Sequence, residues 1–217
     1  MSSQNKIILD LCGGTGAWSK PYKEAGYTVH VITHPDYDLF DSFREDDYII
    51  FPSKTAARLE IPIRKVYGIL AAPTCTMFSL ARTTAKTPRD LRKGFELVRV
   101  CLGLIQECRF DGGLKFWALE NPMGYLRQVL GKPPLTFDPS DYGATYTKKT
   151  DLWGYYNSPK KSGRQLTEEE RARCAINNRI LPELPEGYVL PKDFRAQQAR
   201  RSMTDEHFAT AFFKANK

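Results

Sequence analysis

Residues 72 to 79 read APTCTMFS and follow the apolar run Val66, Tyr67, Gly68, Ile69, Leu70, Ala71. A single thiol, Cys75, therefore stands between two threonines where a buried strand should stop. Leu114 to Leu119 is a second such run, and it opens into another polar triplet, Glu120, Asn121, Pro122. In α/β proteins the carboxyl ends of parallel strands face the ligand crevice, so polar residues just past a buried strand are where chemistry is usually placed. A thiol there offers nucleophilic chemistry, since the thiolate is the attacking form. The other reading of Cys75 is a small residue inside the core, a common fate of cysteine. Its position alone leaves both open.

A third candidate lies near the start. The stretch DLCGGTGAWS has glycines at 13, 14 and 16, but Ser19 stands where a dinucleotide fingerprint places its third glycine. A pyrophosphate-bearing cofactor is thereby disfavoured. An adenosine ligand without phosphates, such as S-adenosylmethionine, needs only a close backbone approach; a purely structural turn is the alternative.

The elements that must position these residues follow from periodicity. KIILDL (6 to 11) reads as a buried strand, a short helix runs from about Ser19 to Ala25 with Gly26 as its left-handed end, and Thr28 to Ile32 is a second strand. Val66 to Ala71 is a third. Between Pro88 and Cys108 the residues Leu91, Phe95, Val98, Cys101, Leu102, Ile105 and Cys108 recur at three and four, which makes one helix with Cys101 and Cys108 on its inward stripe. PLTFD (134 to 138) and KKTDLWGYY (148 to 156) read as strands near the sheet edge, separated by a turn at Asp141, Tyr142, Gly143. Thr167 and Glu170 form a capping-box signature for a helix through about Asn178, and Thr204 is expected to cap a final helix with Phe208, Ala211 and Phe212 on one face. The expected fold is α/β: one domain, 1–217, with a doubly wound, mostly parallel sheet and helices on both faces.

Bulk properties narrow the function. With 217 residues the chain can bury a full core, and no apolar run approaches the ~20 residues of a membrane span. The start MSSQNKIILDL carries no secretory pattern, and five cysteines without a C-x-x-C pair disfavour both a zinc site and a disulfide framework. A cytoplasmic protein without a metal is expected. The net charge of +7 raises the prospect of a nucleic-acid partner without settling it.

DLCGGTGAWS, APTCTMFS, ALENP and DYGATYTKKTDLWG occur in the order and rough spacing of the cytosine-5 DNA methyltransferase family. From residue 6 to about 156 the chain resembles that family, and within it the short phage-type members; the segment 204–215 resembles the family's closing helix beside the cofactor. The resemblance implies a Rossmann-like methyltransferase fold and transfer of a methyl group from S-adenosylmethionine to carbon 5 of cytosine in DNA. It makes Cys75 the nucleophile that adds to carbon 6, and Glu120 the acid that holds and protonates the cytosine edge beside Asn121. Lys148 and Thr150 stand where the family has an arginine-rich motif. Lys148 would steady the base carbonyl or depress the thiol pKa, or else it is a solvated edge lysine. Asp10, Cys12, Gly13, Gly14, Thr15, Gly16 and Trp18 match the cofactor turn, with Asp10 to accept the donor's ammonium and Trp18 to stack or simply pack. Pro73 would lie by the adenine or target pocket. Ser79 to Asp90 reads as a mobile closing loop whose Arg82, Lys86 and Arg89 reach DNA phosphates, or as a solvated loop without a ligand. The setting it implies is a bacterial or phage-infected cell.

Several positions depart from the family pattern. Thr74 replaces the proline before the nucleophile, and Pro122 the valine after Glu120 and Asn121. Where the family carries an acid for the ribose hydroxyls, the chain reads Thr33, His34, Pro35, leaving Asp36 or Asp38 to serve. Residues 155–203 form a short basic insertion in place of a target-recognition domain. DNA recognition would then be weak, short or supplied by a protein partner, with Pro159 to Arg164 and Arg195 to Arg201 giving phosphate contacts. Because extracting a base from a duplex costs a few kcal/mol, single-stranded DNA is the easier acceptor. A free pyrimidine nucleotide as acceptor, transfer of a different one-carbon group, and a catalytically silent DNA- or partner-binding protein are the alternatives.

Overall fold

Strand β1, Ile7–Leu11, is buried at every position, as a strand covered on both faces must be. The glycine turn leads from it to the short helix α1, Lys20–Glu24, and Gly26 at φ 85 turns the chain into β2, Thr28–Ile32, parallel to β1. The computed structural model describes residues 5–80, 82–83, 85–175, 181–190 and 195–217. After β2 comes a small antiparallel sheet that periodicity did not foretell: β3 (Phe43–Glu45), β4 (Tyr48–Phe51) and β5 (Leu59–Pro62). The chain then re-enters the main sheet as β6, Val66–Ala71, crosses over through α2, Leu91–Asp111, and returns as β7, Phe116–Pro122. A turn of helix, α3 (Arg127–Leu130), precedes β8 (Leu135–Phe137) and β9 (Thr150–Tyr155). Helices α4 (Glu168–Ala175), α5 (Ala196–Ser202) and α6 (Glu206–Ala215) follow.

The main sheet has six strands in the order β2-β1-β6-β7-β9-β8, and β9 alone runs against the others. This is the mostly parallel α/β arrangement expected, compatible with a Rossmann-like fold. Because β1 leads outward to β2 on one side and β6 to β7 on the other, the connections diverge between the carboxyl ends of β1 and β6, where such sheets open a crevice. Residues 148–156, expected near the edge, lie one strand further in, with β8 covering them.

Alternation along the strands loads both faces. Leu9, Leu11, Ile69, Ala71 and Leu119 join Val98, Cys101, Ile105 and Cys108 of α2 in one core, whereas Ile8, Leu70 and Ala118 join Trp18, Tyr22, Phe208 and Phe212 of the α1–α6 side in another. Val98, Cys101, Ile105 and Cys108 face inward as their spacing requires, but Leu104 joins them where Leu102 was expected and Leu91, at the helix start, is 40% exposed; the first turn is closed by Asp90, which accepts from Lys93 N at 2.9 Å. On α6 the stripe is Phe208, Ala209 and Phe212, with Ala211 half-buried; each phenylalanine contributes about 2–3 kcal/mol by leaving water. Asp205, not Thr204, caps α6, accepting from His207 N and Phe208 N at 3.0 and 3.2 Å. The Thr167–Glu170 capping box is present in both directions, at 3.2 and 2.9 Å, and the expected helix end at Asn178 lies outside the described residues. Among the described residues no helix is long and apolar enough to cross a membrane.

Candidate functional site

Cys75 sits in a turn held from several sides. Ala72 N still donates to Leu11 O at 2.9 Å, so the chain stays in register one residue beyond β6, and the amides of Phe78 and Ser79 then both donate to Cys75 O at 2.9 Å. Asn121 Nδ2 donates to Pro73 O at 2.9 Å, tying the end of β7 to the residues before the thiol. Further along, Tyr125 N donates to Phe78 O at 3.0 Å, and Ser79 bridges Gly124. That approach is so close that a Cβ on Gly124 would fall 2.2 Å from Phe78 O. No helix begins at the thiol, since α2 starts at Leu91; the cation that acts on it is a lysine.

That lysine is Lys148. Its ammonium lies 3.7 Å from the Glu120 carboxylate, and both groups are largely withdrawn from solvent. Glu120 belongs to β7, and its exposure of 8% follows from its facing the α1–α6 side near the end of the strand, opposite Leu152 of β9. Lys148 precedes β9 and is fixed by its backbone: its carbonyl accepts from Thr150 Oγ1 at 2.7 Å. Met123 N also donates to Lys149 O at 2.9 Å, which locks the two ends of the β7–β9 pair together.

The electrostatics of the three groups are coupled. Burial pushes the Glu120 carboxyl upward and Lys148 pulls it back. Burial likewise raises the Cys75 thiol, the Glu120 charge raises it further, and Lys148 opposes both. Both groups are thus shifted toward their neutral forms. A thiolate on Cys75 is least opposed when Glu120 carries a proton, because the repulsion then vanishes while the attraction of Lys148 remains.

The remaining residues of the β6 and β7 ends play supporting parts. Asn121 is fully buried and its Oδ1 has no partner among the described residues, while Thr150, 2% exposed, spends its hydroxyl on the Lys148 carbonyl. Pro73 is buried beneath the turn and Thr74 is exposed. In the loop after Cys75 the cations divide. Arg89 donates to Met77 O and Ser79 O at 2.9 and 2.8 Å and lies over the Tyr125 ring at 4.9 Å, so its guanidinium pins the turn instead of reaching outward. Arg82 donates to Thr87 Oγ1 at 2.8 Å within the loop, and Lys86 is exposed.

The glycine turn faces the switch point. Gly14 and Gly16 have φ of 56 and 71, where a side chain is strained, and nothing approaches within 4 Å of the position a Gly14 Cβ would take. Thr15 Oγ1 is buried without a partner among the described residues. Asp10 lies beneath this turn: it is fully buried, accepts from Ser19 Oγ at 2.6 Å, and would stand only 2.4 Å from a Cβ on Gly13. Burial raises its carboxyl to about 7 against the lowering effect of Ser19. The carboxylate thus braces the turn from below, and the glycine backbone covers it from the crevice. Cys12, at φ 58, packs against the α2 core, its thiol raised chiefly by a hydrogen bond with Cys101. Trp18 is 2% exposed and meets Phe212 edge-on at 5.5 Å, so of its two expected roles it takes packing.

Beyond β2, Asp36 accepts from Thr55 Oγ1 at 3.0 Å and Asp38 accepts from Phe40 N at 3.0 Å, while His34 lies exposed 3.6 Å from Asp38. The positions expected to serve a ribose are thus already held, Asp38 within its own loop and Asp36 by the segment between β4 and β5. Two contributions were not visible in the residue pattern: Ser19, whose hydroxyl reaches back nine residues to Asp10, and Arg127, which makes a two-pronged bond of 2.6 Å to buried Asp151 of β9. The first carried a signal, a serine at the mouth of α1 in phase with an acidic strand residue. Comparison of the chain with protein-family models and with curated protein sequences finds no match to either.

Proposed function

We propose that the chain transfers a methyl group from S-adenosylmethionine to carbon 5 of cytosine in DNA, with Cys75 as nucleophile and Glu120 as acid. The observation that carries this reading is the meeting of a thiol, a carboxyl group and an ammonium from three separate segments at the ends of β6 and β7 and the start of β9, with Lys148 3.7 Å from Glu120 and both acting on the thiol. Supporting it is the glycine turn across the switch point, whose open Gly14 backbone and unpartnered Thr15 hydroxyl fit an uncharged ribose–adenine ligand. Asp10 does not fit as an acceptor for the donor's ammonium, being sealed under Gly13.

When bound, the donor supplies an electrophilic methyl sulfonium. The chain's own residues do the rest. Cys75, as thiolate, forms a bond to carbon 6 while the Glu120 carboxyl passes its proton to ring nitrogen 3, and the ring's displaced π electrons make carbon 5 nucleophilic. Lys148 balances first the thiolate and then the Glu120 carboxylate left behind. Loss of the carbon 5 proton to solvent, return of the nitrogen 3 proton to Glu120 and cleavage of the carbon–sulfur bond restore the thiolate. A free pyrimidine nucleotide as acceptor is the second reading; the shortness of residues 155–203, in which α4 and α5 are the helices among the described residues, favours it.

The test is transfer of label from methyl-labelled S-adenosylmethionine to single-stranded DNA, duplex DNA and deoxycytidine monophosphate, with Cys75→Ala in parallel. Label on DNA that disappears in the variant is expected. Label on the mononucleotide alone selects the second reading. Transfer undiminished by Cys75→Ala, or label on no acceptor, overturns both.

A further inference from the structure

A groove of about 670 Å³ lies apart from the thiol, between α6 and the segment 157–162. The segment is held at both ends: Asn157 N donates to Asn216 Oδ1 at 2.8 Å, and Ser162 N donates to Asp141 O at 2.9 Å. It therefore runs alongside the helix and leaves a trough between. Lys160, Lys161, His207 and Lys214 line the trough against one carboxylate, Glu206. Lys161 is paired with Asp141 at 3.0 Å, whereas Lys160 and Lys214 make no ion pair among the described residues. Tyr142 lines it too, and its hydroxyl, on a residue only 6% exposed, has no partner among the described residues. A phenol left without an acceptor beside unpaired ammonium groups suits an anionic oxygen.

The trough connects physically to the proposed reaction centre. Asp141, which holds Lys161, also accepts from Asp138 N at 3.1 Å, and the Asp138 carboxyl, pushed up by burial, is drawn down by the backbone of Lys148. Lys148 in turn faces Glu120. The groove thus borders the segment that carries Lys148 into the crevice.

We propose that this groove seats the phosphodiester backbone of a single DNA strand whose target base occupies the crevice at Cys75. The inference rests on the function proposed above. Several cations along one trough can neutralise successive phosphates of a strand, and a single strand, unlike a duplex, leaves its bases free to reach the crevice. Lys160 and Lys214 are the phosphate contacts, and Tyr142 donates to a phosphate oxygen.

The experiment is fluorescence anisotropy of a labelled oligothymidylate with the full chain, titrated between about 50 and 200 mM salt. Lys160→Glu/Lys214→Glu should bind roughly tenfold more weakly at the low end and show a log–log salt slope shallower by about 1.4, the share of two phosphate contacts on a single strand. Tyr142→Phe should weaken binding a few-fold with the slope unchanged, because it removes a neutral hydrogen bond. Lys54→Glu/Lys65→Glu, an equal charge change at exposed positions before β6, should leave the slope alone. Circular dichroism confirms that each variant is folded. A groove variant indistinguishable from wild type, an equal loss in the control pair, or a duplex bound as tightly through the same lysines overturns the proposal. The two readings fail separately. Methyl transfer to DNA with no effect of the groove variant removes only this proposal, whereas groove-dependent binding without transfer to any acceptor removes only the catalytic one.

Discussion

Replacing Asp10 by asparagine tests how the glycine turn is supported. The carboxyl is fully buried, bonded to Ser19 and raised by burial from 3.8 to about 7. A carboxyl whose folded pKa is raised favours the folded state below its unfolded pKa, and that contribution is lost as pH climbs to the folded value. At about 1.4 kcal/mol per unit, wild-type stability should fall by about 3 kcal/mol between about pH 5 and pH 8 through this group alone. Asparagine keeps an oxygen for Ser19 and cannot ionise. Asp10→Asn should therefore gain about 3 kcal/mol on wild type across that interval, a sizeable part of a stability of roughly 5–15 kcal/mol. Urea denaturation of both proteins, followed by far-ultraviolet circular dichroism across the interval, reads the difference and cancels every other titrating group. A gap between the two that does not change with pH would show that Asp10 is ionised throughout and would refute the reasoning.

Other outcomes follow from the same contacts. Glu120→Gln should shift the pH dependence of Cys75 alkylation by iodoacetamide to lower pH and Lys148→Met should shift it to higher pH, because the two charges act on the thiol in opposite senses; peptide mapping after timed labelling measures both. Gly124→Ala places a methyl 2.2 Å from Phe78 O, so it should cost about 2 kcal/mol and move the Cys75 turn, seen as lower thermal stability together with a changed alkylation rate. Arg127→Met strands Asp151, which is fully buried, and should lower stability by about 3 kcal/mol in chemical denaturation; Arg127→Met/Asp151→Leu should recover most of the loss.

The parallel half of the sheet was readable because β1 and β6 are near-continuous apolar runs that only a doubly covered strand produces, and α2 because five buried residues repeat at three and four. The small sheet escaped notice for the opposite reason. β3 is exposed at all three positions, and β5 is short and ends at proline, so neither carries a hydrophobic signature; pairing to β4 makes them strands. Cys75 and Glu120 were recognisable from their places at the ends of apolar runs. Glu120 nevertheless lies within β7 and not beyond it, because β9 continues the ladder as far as Pro122. The proximity of Lys148 to Glu120 depends on that antiparallel register, a long-range property that no local pattern encodes. The inward turn of Asp10 was hidden as well, since an acidic residue at a strand end reads equally well as ligand or as brace.

The packing of α6 also sets the order in which the molecule is completed. Phe208 and Phe212 cover Trp18, and the Tyr22 hydroxyl donates to the Asn216 carbonyl across 194 residues of chain. Contacts so distant in sequence raise the contact order and slow folding, because loop closure must be achieved before they contribute. During synthesis the sheet face beneath the glycine turn stays uncovered until residues 208–216 have left the ribosome. Until then the aromatic surface of Trp18 and Tyr22 is open to chaperones and to association with other nascent chains.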